Sequence, residues 1–183
     1  MRRRIAHGPA IEDLRVAATA VGSGPMPRLF PVSMLCVAVL VVLAGAPREA
    51  AGLVAFERGE VVIDTAGGPV RLSVELARTQ EQRAQGLMFR ERVAADAGML
   101  FLYERDGEIG MWMRNTLIPL DMLFLARDGR IINIVERTVP LSTTAISSAG
   151  PARAVLEVNG GTVQRLGIQP GDRVRFPELE GGP

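Results

Sequence analysis

The chain has 183 residues, 48% of them hydrophobic, and a formal net charge of +1. It contains no lysine, and its one cysteine (Cys36) and one histidine (His7) both lie in the first 51 residues. From Gly52 onward 15 Arg face 17 Asp plus Glu, a net of −2 with no basic run, which argues against a nucleic-acid partner.

These absences bound the chemistry. Without His, Cys or Lys past residue 51 there is no Ser-His-Asp triad, thiol nucleophile or Schiff base. The His and Cys ligands that zinc and most copper sites need are missing too, so no metal and no cofactor is expected. Carboxylates, Tyr103, hydroxyls and Arg remain. Carboxylate chemistry stays open, but the balance leans away from an enzyme.

In chain order, Arg2, Arg3, Arg4, Arg15 and Arg28 precede an uncharged run, LFPVSMLCVAVLVVLAGA, over 29–46. A basic segment, an apolar run and small residues (Ala44, Gly45, Ala46) form a secretory signal. Pro47 sits poorly after that cleavage point, and Met26 is an alternative start. An uncleaved membrane span is the rival reading, because the run approaches the ~20 residues that cross a bilayer. Cys36 stands too early in the run for a lipid-anchored cysteine. The expectation is export, to the periplasm or to an outward-facing membrane anchor. Residues 1–51 are then leader and linker, 52–176 one domain and 177–183 a loose tail.

EVVIDT (60–65) and VRLSVELA (70–77) read as strands around a Gly67-Gly68-Pro69 turn, the second alternating apolar and polar residues as a half-buried strand does. Thr79 with Gln82 gives a capping box for one short helix ending at Gly86. Glu81 and Arg83 on that helix read as a solvated face. GMLFLYERDGEIGMWM (98–113) and DMLFLARDGRIINIVER (121–137) both predict hairpins, turning at Arg105-Asp106-Gly107 and Arg127-Asp128-Gly129. A Ser/Thr-rich loop follows over 140–151. ARAVLEVN (152–159) is a strand, GGTVQRLG (160–167) a second short helix, and a Pro170-Gly171 turn launches a last strand, DRVRF. Short strands with close turns and two short helices predict a mainly β fold, a compact antiparallel sandwich or barrel.

Several words recur in order: ARTQEQRAQGLMFRE (77–91), GMLFLY (from 98), MWMRNTLIPLDMLFL (111–125), LEVNGG and GIQPGD. Over about residues 60–176 the chain resembles the domain of unknown function 192 family, found in bacteria and archaea and often behind a signal peptide. The resemblance implies a β-rich fold of jelly-roll or barrel type and no established activity.

The 111–125 stretch supplies most candidate site residues. Met111 and Met113 share one strand face, Trp112 and Arg114 the other. With Met88, Met99 and Met122 these thioethers read either as soft Cu(I) ligands or as core filler, and packing alone explains them. Asn115 reads as a turn residue capping its own turn. Asp121 opens a strand that is apolar on both faces, so burial would demand a partner such as Arg90 or Arg114. Glu157 either faces solvent or approaches Asp121, and two carboxylates ~5–9 Å apart would permit glycosidase-like hydrolysis. The leading expectation is a non-enzymatic exported domain. It would bind a small molecule, glycan or partner protein near Arg90, Trp112, Arg114, Asn115, Asp121 and Glu157. A hydrolase using Asp121 and Glu157, and a structural or assembly role, are the alternatives.

Overall fold

The structure, a computed structural model, describes residues 54–180. The predicted leader and the last three residues lie outside that range. β1 (Glu57–Thr65) and β2 (Gly68–Ala77) form an antiparallel hairpin, with Thr65 Oγ1 closing the turn on the Gly68 carbonyl at 2.8 Å. α1 (Gln80–Gln85) carries the predicted capping box: Thr79 Oγ1 accepts from the Gln82 N–H at 3.1 Å, and Gln82 Oε1 accepts from the Thr79 N–H at 3.0 Å.

β3 (Ala97–Gly107) is one long strand, followed by the short β4 (Gly110–Met111). The hairpin predicted across 98–113 is therefore not formed. β3 runs through Arg105-Asp106-Gly107 because β8 (Ala152–Asn159) continues alongside it to Gly107↔Ala152, with a register shift after Leu102. The Asp106 carboxylate, instead of closing a turn, accepts from Arg127 Nε at 2.9 Å and Arg153 Nη1 at 3.3 Å. β4 pairs with β7 (Ile146–Ser147) in a small separate ladder. The second hairpin forms as predicted, β5 (Leu120–Leu125) turning at Arg127-Asp128-Gly129 into β6 (Ile131–Val135).

After β8 come α2 (Thr162–Leu166), β9 (Arg173–Arg175) and α3 (Pro177–Glu180). The sequence predicts a loose tail from residue 177, but Leu179 is buried and joins the core, so residues 177–180 form a packed helical turn.

Seven strands make one sheet in the order β6-β5-β8-β3-β2-β1-β9. Every neighbouring pair is antiparallel except β2–β3, which is parallel and joined by the crossover that holds α1. The sheet curls until its outer strands meet. Arg130 bridges Arg173, Ile131 N–H donates to the Asp172 carbonyl at 2.8 Å, and Val174 N–H donates to the Gly129 carbonyl at 2.9 Å. Of the two predicted arrangements, this curled half-barrel is on the side of the barrel, and the contact protects open edges that would otherwise template association.

Two apolar clusters lie on the two faces of the central strands. The inner one includes Ile63, Val74, Leu100, Leu123, Leu156 and Val174, with Val163 of α2 and Leu179 of α3. The outer one includes Met99, Phe101, Met122, Phe124 and Val155, covered by Leu87, Ile109 and Met113 from the connecting segments. β5 is consequently buried at all six residues, which explains why LDMLFL reads as a continuous apolar run.

Candidate functional site

Six sequence-predicted residues divide between three places. Trp112 and Glu157 line one cleft of about 250 Å³, together with Gln80, Arg83, Gln85, Met88, Phe101, Tyr103, Met111 and Thr116. Arg114 stands beside it, its guanidinium carbon 4.4 Å from the centre of the Trp112 ring. Asn115 adopts φ 59° in the turn closed by Thr116 N–H on the Met113 carbonyl, where an Asn is well tolerated. It is a turn residue as expected, but its amide reaches Met88 Sδ at 3.8 Å instead of capping its own turn.

Arg90 is elsewhere. Its guanidinium forms a two-pronged pair with Glu75 of β2, at 2.8 and 2.6 Å, and lies over Phe56. That hydrogen-bonded pair holds the Glu75 carboxyl below its ordinary range and raises Arg90.

Asp121 is fully buried, yet neither Arg90 nor Arg114 is its partner. Its carboxylate accepts main-chain N–H groups from Arg137 at 2.8 Å, Gly161 at 2.9 Å and Val163 at 2.9 Å. Gly161 precedes α2 and has no side chain to cap it, so a strand carboxylate does that task from outside the helix. Gly161 adopts φ 92°, and a Cβ there would meet the Arg137 guanidinium at 2.9 Å. Asp121 is a structural residue.

Glu157 has the opposite character. It sits mid-strand on β8 with Met99 of β3 and Met122 of β5 as its register partners, on the outer apolar face. Only 4% of it is exposed, correcting the solvent-facing reading; β8 is a central strand covered on both faces. Among the described residues no donor is bonded to its carboxyl. No fully enclosed polar atom is left unpartnered either, so its oxygens keep their remaining contact through the cleft. Burial alone pushes its pKa from the usual carboxylate range up to about 8. Asp121 belongs to the other face, which removes the paired-carboxylate hydrolase.

The cleft also contains residues outside the candidate set. Arg83 of α1, read as solvated, donates from Nη1 to the Arg78 carbonyl and, at 2.9 Å, to the Leu102 carbonyl, and its guanidinium lies over Tyr103 at 4.9 Å. Burial raises the Tyr103 phenol above its ordinary value, opposed by Arg83 and reinforced by Glu157. The phenol donates to Met111 Sδ at 3.6 Å. Arg83 lies three residues after Gln80, the helical spacing that brings two side chains to one face. Among the five methionines considered, Met99, Met113 and Met122 are fully buried core, while Met88 and Met111 wall the cleft. Among the described residues no three His, Cys, Asp or Glu side chains converge as metal ligands would.

Fold and cleft together define a small, mainly β half-barrel with a mixed apolar and polar cleft on the covered face of its curled sheet. The chain belongs to the DUF192 family, described as an uncharacterized ACR, whose profile matches residues 61–176. It is similar to a crystal structure from Sinorhizobium meliloti, described as that of a proposed transcription regulator. Identity is 49% and the TM-score 0.66, over 68% of this chain and 97% of that one. It is also similar to a Novosphingobium aromaticivorans protein of unknown function, with 40% identity and a TM-score of 0.64, over 72% of this chain and 100% of that one. No curated protein matches.

Proposed function

We propose that this is an exported, non-enzymatic binding domain that takes a small molecule, or one ring of a glycan, in the Trp112–Glu157 cleft. The carrying observation is Glu157. A buried, unpaired carboxyl on an apolar sheet face costs stability, so its presence there fits a task in the cleft. The cavity of about 250 Å³ is smaller than the ~300–1,000 Å³ of drug-sized sites, which favours a ligand of about one ring. Trp112, 48% exposed, offers a stacking face, and Gln80, Gln85 and Arg83 offer planar polar groups. Export rests on the basic and apolar N-terminal segments.

A transcription-regulator role like that described for the Sinorhizobium meliloti protein does not fit these helices and this charge. α1, α2 and α3 have six, five and four residues, too short for a groove-reading helix, and the domain has no basic excess.

The binding reading is tested by a thermal-shift screen of the purified protein against sugars, peptidoglycan fragments, carboxylic acids and amines. Stabilisation by one class, lost in both Trp112→Ala and Glu157→Met, supports it. Stabilisation retained in both variants, or none by any class, contradicts it. Export is tested by fusing alkaline phosphatase after residue 52: activity supports it, an inactive cytosolic fusion does not.

A further inference from the structure

Resting on the cleft as the binding site, we propose that its ligand is an organic carboxylate carrying a small apolar body. Arg83 and the Glu157 carboxyl hold the acid group, and Trp112 and the neighbouring apolar loops receive the body.

Charge decides the class. The ionisable groups lining the cleft are Arg83, Tyr103 and Glu157. Arg83 is fixed by two main-chain carbonyls and the Tyr103 ring, and none of the described ion pairs involves it. Sharing the cleft lining with Glu157 are Tyr103 from β3 and Arg83 from α1. Its strand neighbours are Met99 and Met122, and the 110–116 segment brings Met111, Trp112 and Thr116 to the lining. Arg114 of that segment is stacked on Trp112. With burial keeping Glu157 neutral near pH 7, the lining carries the single positive charge of Arg83, and the acid is a donor instead of a competing anion. An organic cation would face Arg83 with no carboxylate to offset it. A carboxylate meets a guanidinium and a neutral O–H.

The apolar body has a surface to meet. Phe89 and Leu141 are 69% and 59% exposed, and both are held with positive φ, 62° and 63°. That conformation is unfavourable for an apolar residue, and their exposure returns little of the cost. Phe89 follows the cleft residue Met88, and Leu141 N–H donates to the carbonyl of the cleft residue Thr116 at 3.1 Å. Leu117, also exposed, follows Thr116.

The experiment is an NMR titration of the purified protein with phenylacetate, hexanoate and acetate, and with phenylacetamide and hexanamide, at pH 6.5 and 9. The proposal expects phenylacetate or hexanoate to bind at least about tenfold tighter than the matching amide at pH 6.5, and tighter than acetate. Binding should weaken about tenfold at pH 9, one unit above the Glu157 pKa of about 8. Arg83→Gln should erase the preference for the acid, and Glu157→Gln should flatten the pH dependence. Equal binding of acid and amide, or a preference that survives Arg83→Gln, overturns the carboxylate assignment. If such binding still disappears in Trp112→Ala, the cleft stands as a site for another class. No response to any of the five compounds overturns the assignment as well, and the broader thermal-shift screen then decides the fate of the site separately.

Discussion

Asp121 and Glu157 lie one register step apart on adjacent antiparallel strands and face opposite sides of the sheet. Asp121 is opposite Val158, and Glu157 is opposite Met122. Successive strand residues alternate faces, so this single step sends one carboxylate to the α2 N–H groups and the other to the cleft. Both are buried, but among the described residues the Asp121 carboxylate has hydrogen-bond donors and the Glu157 carboxyl has none, and the two should respond to substitution in opposite ways.

Asp121→Ala removes the acceptor of three main-chain donors, those of Arg137, Gly161 and Val163, and strands them. It should lower stability by about 3–5 kcal/mol, with Asp121→Asn costing less. Urea unfolding checks this: the midpoint should drop at an unchanged slope. A cost below about 1 kcal/mol would contradict the structural role.

Glu157→Gln should be nearly neutral in acid and stabilising in alkali. The folded pKa of about 8 is above the usual carboxylate value, so between those limits the native state holds a proton the unfolded chain has released. Stability therefore falls as pH rises from about 4.5 through 8, by roughly 4–5 kcal/mol if the whole shift is expressed. Chemical denaturation of both proteins between pH 5 and 9 should show the variant gaining on the native chain by several kcal/mol. Parallel pH profiles would count against it.

Glu75→Gln tests the Arg90 pair. The Glu75 pKa is depressed, so its stabilisation is present above the unfolded value and is lost as pH falls through the folded one. Both partners are partly exposed, which limits the expected cost at pH 7 to about 1 kcal/mol, disappearing in acid. Cleft binding should be untouched, since Arg90 lies outside that lining.

Gly98→Ala should be disruptive for a steric reason. A Cβ there would sit 2.4 Å from the Glu157 carbonyl oxygen, backbone that cannot rotate away. Moving β3 from β8 should cost at least about 1–3 kcal/mol and alter the NMR signals of Glu157. An unperturbed variant would contradict the close approach.

Features governed by near neighbours were readable in the sequence. Thr79 and Gln82 form their capping box, and the Asp128-Gly129 turn joins β5 to β6. The same Arg-Asp-Gly word misled at 105–107, where a strand some 45 residues downstream extends β3 through it. Long-range pairing overrode local turn chemistry. Sheet face followed the same logic. Alternation separates Glu157 from Leu156 and Val158, but only the cover over β8 reveals that the outward face is buried. Trp112 and Glu157 were legible as candidates, and both line the cleft. Arg83 was not, because on a two-turn helix one charged face resembles another until a cleft adjoins it.

The most direct measurement is an NMR titration of the Glu157 side-chain carboxyl carbon in the unliganded protein, assigned by comparison with Glu157→Gln. An enclosed carboxyl open only to the cleft titrates with a midpoint near pH 8. A midpoint near 4.5, the value of a free glutamate, would mean the group is solvated or paired, and the cleft would lose the residue on which its function was argued.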